Sequence, residues 1–313
     1  MKRFKRILVA TDSRLAAHPI VDEAAEIAEH NDASLKIVDV VPEFPWTVKL
    51  TLANHEHMRE LIAEEKQVKL ESLAEPIRQR GVAVETKVLL GKTSIEIIRE
   101  VLRHGHDLVL RVAKGSDSPS RDFFGKTAMR LLRKCPCAVW LVSPQTTPKF
   151  KHVLACVDTT TGEHLDAELN NKIYELASSI SHYHGGRLSI IQAWSIWNEQ
   201  MLKGRMQPEE FTEMKTNSQH QVAGLLDKFL QQHGDSIRAE NVHCIEGEAA
   251  DAIPDFATTH GVDLIVLGTV ARSGTAGILM GNTAEQILSR IECSVLAVKP
   301  SHFHCPIRLD ETN

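Results

Sequence analysis

The stretch that decides the fold is DLIVLGTVARSGTAGILMGNTAEQ, residues 263–286. It begins with a short apolar run, which is typical of a strand buried on both faces of a parallel sheet. A glycine-rich loop follows, and Gly281-Asn282-Thr283 is predicted to begin a helix. Strand, loop and helix in this order are the repeating unit of an α/β fold with a parallel sheet.

The same unit occurs earlier in the chain, because residues 91–144 align with residues 247–300 without a gap. Identical residues fall at the predicted strand ends, helix ends and turns. They pair Ile97 with Ile253, His104-Gly105 with His260-Gly261, Asp107-Leu108 with Asp263-Leu264, Gly125 with Gly281, Thr127-Ala128 with Thr283-Ala284, Cys137 with Cys293 and Pro144 with Pro300. The chain is therefore predicted to contain two copies of one domain.

Each copy contains five short apolar runs separated by segments with helical periodicity. The runs are Ile7–Ala10, Leu35–Val41, Val82–Leu89, Leu108–Val112 and Ala138–Val142, and then Val153–Val157, Leu188–Ala193, Val242–Ile245, Leu264–Leu267 and Ser294–Val298. This alternation predicts a three-layer α/β fold with right-handed crossovers. Gly105 and Gly261 each precede a strand and are predicted to end a helix in the left-handed conformation. We predict domains at 1–144 and 152–300, a linker at 145–151 and a tail at 301–313.

Composition and charge argue against several classes of protein. A chain of 313 residues is long enough for two domains of ordinary size. The net charge of −5 argues against a nucleic-acid-binding face, and no apolar run is long enough to cross a membrane. The basic start is followed by an apolar run too short for a signal peptide. The cysteines lack regular spacing, as is typical of reduced thiols, and we expect a cytoplasmic protein.

The loop after the first strand of each copy carries an aspartate, Asp12 or Asp158. Open parallel sheets bind ligands beyond the carboxyl ends of their strands, where the strand order reverses. An aspartate there can accept hydrogen bonds from a ribose hydroxyl or a base amine. The alternative is an aspartate that only caps the next helix.

The loop after the fourth strand of the second copy is suited to a phosphate. Its glycines allow close approach of the backbone, and the helix that begins at Gly281 offers free N–H groups to an anion. Asn282 and Glu285 also have the spacing of a capping box. Arg272 is either a phosphate ligand or an exposed arginine.

These motifs resemble the universal stress protein family. The family pattern is a strand, Gly-x-x-Gly-x9-Gly-Ser/Thr, a helix and a last strand ending in Val-x-Lys-Pro, and residues 263–286 and 295–300 follow it in large part. Residues 107–110, 131–136 and 306–311 further resemble the subgroup with two domains in tandem. The resemblance implies two flavodoxin-like (Rossmann-like) domains, each a five-stranded parallel sheet, which pack through their last strands as an internal pseudo-dimer. It leaves a homodimer of whole chains open.

Some members bind ATP with this loop, with the aspartate after strand one and with the backbone at the end of strand two. The resemblance therefore implies candidate ligand contacts at Asp158, Ala193, Gly268, Ala271, Arg272, Gly281, Asn282 and Thr283 in the second copy, and at Asp12, Val40, Gly115, Gly125, Lys126 and Thr127 in the first.

Both copies depart from the pattern. Ala271 and Asn282 replace the second glycine and the Ser/Thr in one copy, and Val112 and Lys126 replace the first glycine and the Ser/Thr in the other. A side chain at these glycine positions is expected to block a phosphate, most strongly if φ is positive. The second copy is the better candidate.

Three functions remain open, and the broken glycine pattern favours the first. This is a non-enzymatic stress-response protein that binds a small molecule or a protein partner, with DNA damage among the stresses that the resemblance implies. The second is an ATP-binding switch or weak ATPase. The third is a carrier of an apolar ligand, in a pocket formed by Trp194, Trp197, Phe123, Phe124, Leu279 and Met280; core packing is the alternative for those residues.

We expect no catalytic residues and no metal site. The chain has no Gly-x-Ser-x-Gly nucleophile elbow. The histidines of His55-Glu56-His57 and His182-Tyr183-His184 point to different sides of a helix, and Cys135 and Cys137 lack the spacing of a zinc knuckle. ATP is the one cofactor that the resemblance suggests. Neither a nucleic acid nor a membrane is expected as a partner.

Overall fold

The computed structural model describes residues 4–13, 15, 18–51, 54–114, 123–143, 150–160, 164–234, 237–269 and 280–309. Strands and helices alternate through the described part of the first half. They are β1 (Arg6–Ala10), α1 (Pro19–Asn31), β2 (Ser34–Val41), α2 (Trp46–Thr51), α3 (His55–Gln79), β3 (Val84–Leu90), α4 (Thr93–His104), β4 (Leu108–Val112), α5 (Lys126–Lys134) and β5 (Ala138–Val142).

The second half repeats this order. Its elements are β6 (His152–Cys156), α6 (His164–Tyr183), β7 (Arg187–Trp194), α7 (Glu199–Lys203), α8 (Pro208–Gln231), β8 (Val242–Glu246), α9 (Ala249–Thr259), β9 (Leu264–Gly268), α10 (Asn282–Arg290) and β10 (Ser294–Val298). All ten predicted strands are present, with ends that differ by one or two residues. Gly105 and Gly261 have φ of 61° and 60°, which confirms the predicted left-handed helix ends. The predicted linker lies mostly outside the described residues, and the domain boundaries stay a prediction.

The strands form one sheet in the order β3-β2-β1-β4-β5-β10-β9-β6-β7-β8. Within each half all pairs are parallel, and the order reverses between β1 and β4 and between β6 and β9. The halves join through β5 and β10, which are antiparallel with Leu141 opposite Val295. This confirms the prediction that the two copies pack through their last strands. Because the strands of the two halves run in opposite directions, their carboxyl ends lie at opposite edges of the sheet.

Helices cover both faces, as the nearly continuous apolar strands require. Alternate strand residues, such as Ile7 and Leu8, belong to separate hydrophobic clusters. One cluster includes α1, α3, α6 and α8, and the other includes α4, α5, α9 and α10. Among the described residues, no helix has both the length and the apolar character needed to cross a membrane.

Polar contacts also join the halves, on the face of α5 and α10. Lys299, which is buried, donates to the carbonyl of Leu132 at the end of α5 and to Thr269 Oγ1 at 2.6 Å. Burial lowers the pKa of Lys299 to about 8. Arg133 Nε lies 2.9 Å from Glu285 Oε1. The lysine of the Val-x-Lys-Pro motif therefore links the two halves.

Candidate functional site

A cavity lies at the carboxyl ends of β6, β7 and β9, where the strand order reverses. Its volume is about 850 Å³, within the range of about 300–1,000 Å³ typical of small-molecule sites. Helix α6 forms one wall with Leu169, Asn170 and Ile173, and the first turns of α9 and α10 form others. The position is the one predicted from the sheet topology.

Six of the predicted contacts of the second copy line this cavity together. They are Asp158, Ala193, Gly268, Gly281, Asn282 and Thr283. Ala271 and Arg272, which complete the predicted set, lie outside the described residues. The structure therefore brings the described part of the predicted site into one place, while the ligand itself stays a proposal.

Asp158 is held in its own loop. Its Oδ1 accepts hydrogen bonds from the backbone N–H of Thr160 at 3.0 Å and from Thr160 Oγ1 at 2.6 Å. Asn170 of α6 fixes the backbone on both sides, since its Oδ1 accepts from Asp158 N–H and its Nδ2 donates to Asp158 O. The Asp158 side chain thus stabilises a turn by bonding to the residue two positions later. It does not cap α6, which begins at His164.

Helix α10 points its amino end at the cavity. Gly281 is its N-cap, with φ −66° and ψ 143°, and Asn282 is the first helical residue. The N–H groups of the first turn have no partner within the helix, which makes this end attractive to an anion or an acceptor. The predicted capping box of Asn282 and Glu285 is wrong, because the cap is one residue earlier and Glu285 pairs with Arg133 instead.

Gly268 is explained by helix packing and not by a left-handed backbone. Its φ is not positive, in contrast to Gly247 at 138°. A Cβ atom built on Gly268 would lie 2.8 Å from Cδ2 of Leu169 on α6. Positive φ, the condition under which a side chain was expected to be excluded most strongly, is present neither here nor at Val112. A side chain at position 268 would first displace Leu169, which lines the cavity.

At the corresponding edge of the first half, a buried ion pair stands at the end of β2. Lys66 Nζ of α3 lies 2.5 Å from Asp39 Oδ2. The same carboxylate accepts from Ser13 N–H at 2.7 Å and from Val40 N–H at 2.6 Å. The backbone N–H of Val40, a predicted ligand contact, is thus already used.

Arg111 adds a further cation to this edge. Its guanidinium donates to the carbonyl of Ala10 at 3.4 Å and is attracted by Asp12 and Asp39. Leu267 stands at the equivalent position of the second half. Asp12, the other predicted contact of this edge, is therefore engaged with a protein cation.

The described ends of the loop after β4 match those of the loop after β9. Gly125 caps α5 with φ −69° and donates to Ala113 O, as Gly281 donates to Thr269 O. Lys126 and Thr127 follow in the first turn, and Gly115 lies outside the described residues. Phe123 and Phe124 pack in this half, with ring centroids 5.0 Å apart.

Gln192 was missed by sequence reasoning. It takes the position of Asp39 in the second half and is fully buried. Its Oε1 accepts from Thr159 Oγ1 at 2.9 Å, and its Nε2 has no hydrogen-bond partner among the described residues. An amide side chain near the carboxyl end of the mostly apolar run of β7 was the signal that could have found it.

The predicted aromatic cluster is only partly formed. Trp194 and Met280 line the cavity, whereas Trp197 is 77% exposed. Phe124 is buried in the other half, and Leu279 lies outside the described residues.

The charges of the described cavity wall are mainly acidic. Asp158 and Glu248 carry carboxylates, His302 is the one basic side chain, and neither Lys nor Arg occurs among the described lining residues. Burial raises the pKa of the Cys156 thiol far above its ordinary value, so this wall residue stays protonated at neutral pH. Within the described ranges, no group of three or more His, Cys, Asp or Glu residues could hold a metal ion.

Comparison with known proteins gives two matches of one family model along the chain. The model described as Universal stress protein family matches residues 3–143 and 149–299. Universal stress protein E of Escherichia coli strain K12 is 28% identical over 320 residues, covering 99% of each chain. The Universal stress protein E homolog of Haemophilus influenzae is 23% identical, covering 96% of this chain and 98% of that protein.

Solved structures show the same fold. A functionally unknown protein from Pseudomonas aeruginosa PAO1 gives a TM-score of 0.73 at 22% identity, covering 96% of this chain and 94% of that one. A universal stress protein from Archaeoglobus fulgidus gives 0.62 at 15% identity, covering 94% and 98%. Both matches extend over the two halves.

Proposed function

Since the chain belongs to the universal stress protein family and carries two family domains in tandem, we propose that it acts in the cytoplasmic stress response by binding a small molecule without catalysing its reaction. The observation that carries this proposal is the 850 Å³ cavity of the second half, in which six predicted contacts meet. We assign the ligand to this cavity and not to the corresponding edge of the first half, where Asp39 is already paired with Lys66 and the N–H of Val40 is already used.

The cavity favours a ligand with an apolar body and a polar group. The amino end of α10 can receive an anion or an acceptor, while Ile173, Trp194 and Met280 offer apolar surface. Highly charged ligands are less well matched, because the described wall carries Asp158 and Glu248 without a Lys or Arg.

The absence of catalysis is supported by the state of two wall residues. The Cys156 thiol is held protonated by burial, so it is not a nucleophile at neutral pH. Asp158 Oδ1 is used to close the turn at Thr160. Neither group is arranged for covalent or acid–base chemistry.

A thermal-shift screen of small metabolites tests the proposal. A ligand at about 100 times its Kd stabilises the folded state by about 2.7 kcal/mol, which raises Tm by several degrees. The response should be lost in Ala193→Phe, which fills the cavity. Compounds that stabilise both proteins equally would place the site elsewhere and contradict the proposal.

The second candidate function is an ATP-binding switch, favoured by the cavity size and the free end of α10. Thr283→Asp separates the two candidates, because aspartate in the first turn stabilises a helix but repels a phosphate. Thr127→Asp, at the same position of α5, is the matched control. Tight Mg-ATP binding by calorimetry that only Thr283→Asp abolishes would favour the switch. Wild-type protein that binds no Mg-ATP would exclude it.

A further inference from the structure

The two halves pack about a pseudo-two-fold axis that passes between α1 and α6. The helices have equivalent ends, since Ala33 N–H donates to Ala28 O and Gly186 N–H to Ser181 O. This register makes His30 equivalent to Tyr183, and their rings contact each other with centroids 4.1 Å apart. Contact between equivalent residues is the mark of an isologous interface.

On one side of this axis the interface is filled by polar pairs. His184 Nε2 lies 3.1 Å from Glu23 Oε1, with both side chains buried. Tyr183 Oη donates to Glu26 Oε2 at 2.6 Å. The ring of Phe150 packs against His184 with centroids 5.1 Å apart.

On the other side the equivalent residues do not reach across. Leu176 and Ser179 stand where the first half has Glu23 and Glu26, and Asn31 stands where the second half has His184. Asn31 turns back into its own half, since its Oδ1 accepts from Phe4 N–H and its Nδ2 donates to Ile27 O. A cavity of about 410 Å³ lies here between the halves.

The wall of this cavity combines apolar side chains with polar ones, and one of the polar groups is a buried donor. Phe4, Ile27, Leu176 and Ile180 contribute apolar surface, and exposed His30, Ser179 and His182 surround the mouth. Trp140 also lines the cavity and is 1% exposed, yet its Nε1–H has no hydrogen-bond partner among the described residues. A buried indole N–H without a partner is unfavourable and rare.

Other polar groups of the wall are already paired within the protein. His30 Nδ1 bonds to Glu26 O at 2.9 Å, and Asn31 is satisfied by Phe4 and Ile27. Tyr183 is used by Glu26. Among the described lining residues, Trp140 is therefore the one whose side chain has a fully buried polar atom without a hydrogen-bond partner.

We propose that this cavity is a second small-molecule site, which takes a flat apolar ligand whose single hydrogen-bond acceptor binds Trp140 Nε1–H. Its volume lies within the range of about 300–1,000 Å³ for ligand sites, and domain interfaces are among their usual places. Because the wall comes from α1 and β5 of one half and α6 of the other, the ligand holds the two halves together. The site is separate from the cavity at the end of α10 and does not depend on it.

A matched pair of probes tests this proposal on the full chain. 2-Acetylnaphthalene has a carbonyl acceptor, and 2-ethylnaphthalene has the same shape without one. The acetyl compound should bind about tenfold more tightly, because it satisfies a buried donor. The indole N–H resonance of Trp140, identified by its loss in Trp140→Phe, should shift downfield. Equal affinities, no binding, or an unmoved resonance would overturn the proposal.

Two variants and one control locate the binding. In Trp140→Phe, the two probes should bind with equal affinity. Leu176→Phe should fill the cavity and weaken both probes by tenfold or more, with the Trp140 donor still present. Ala193→Phe, which fills the other cavity, should leave both affinities unchanged. Loss of binding in Ala193→Phe, or retention in Leu176→Phe, would overturn the assignment.

Discussion

Lys66 Nζ lies 2.5 Å from Asp39 Oδ2 at the carboxyl edge of the first half, and both side chains are about nine-tenths buried. In the second half Gln192 replaces Asp39, and the cavity lies at that edge. The two copies of one fold therefore use the same edge in different ways. One copy places an internal ion pair there, and the other has a cavity.

The ion pair predicts an asymmetric response to mutation. Asp39→Ala should lower the free energy of unfolding by about 3–5 kcal/mol, because it leaves a buried ammonium without its carboxylate. It also leaves the N–H groups of Ser13 and Val40 without their acceptor. Lys66→Met should cost less, about 1–3 kcal/mol, since Asp39 keeps both backbone donors. Urea unfolding measures both values.

The double variant is the control for that experiment. Asp39→Ala with Lys66→Met removes both charges and should cost less than the sum of the two single changes, because no buried charge is left without its partner. A simple sum of the single effects would contradict the account.

His106 predicts a dependence of stability on pH. The residue is 8% exposed, and burial, assisted by nearby Lys36, lowers its pKa from 6.5 to about 4. Between these values the unfolded chain binds a proton that the folded protein does not, so stability falls as the pH drops through this window. The contribution is about 1–3 kcal/mol.

Val262 occupies the equivalent position of the second half, which makes His106→Val the natural comparison. The variant should lose less stability than the wild type when the pH is lowered from about 6.5 to about 4. Guanidinium unfolding at several pH values checks this. Parallel pH profiles for the two proteins would show that His106 does not titrate as described.

Gly268 predicts coupling to Leu169. Gly268→Val should lower the free energy of unfolding by about 1–3 kcal/mol, because its side chain meets Leu169 Cδ2. The cost of Gly268→Val should be smaller in a Leu169→Ala background, where space is available. A double-mutant cycle measures this coupling, and additive effects would indicate that Gly268 is required for another reason.

Much of the fold follows from the sequence because its signals are local. The strands are short apolar runs, and Gly105 and Gly261 mark helix ends by their conformational freedom. The aligned copies also place Asp158, Ala193 and Gly281 at one sheet edge, where the structure has a cavity. The parallel topology is sufficient to bring them together.

The remaining features depend on contacts between distant residues. Glu285 has the spacing of a capping box, but Arg133 of the other half binds it. Asp39 pairs with Lys66 of α3, which lies 27 positions later in the sequence. Such contacts between distant side chains determine whether the carboxyl ends of the strands border a cavity. Hydrophobic periodicity predicts the strands but not these contacts.

The most direct test of this asymmetry is native mass spectrometry of the protein as purified. The account predicts one small molecule per chain in the cavity at the carboxyl ends of β6, β7 and β9. This molecule should be lost in Ala193→Phe and retained in Thr127→Asp. Leu176→Phe removes any ligand bound between the halves, so that the two sites can be told apart. An Ala193→Phe chain that keeps the molecule, or a wild-type chain that carries none, would contradict it.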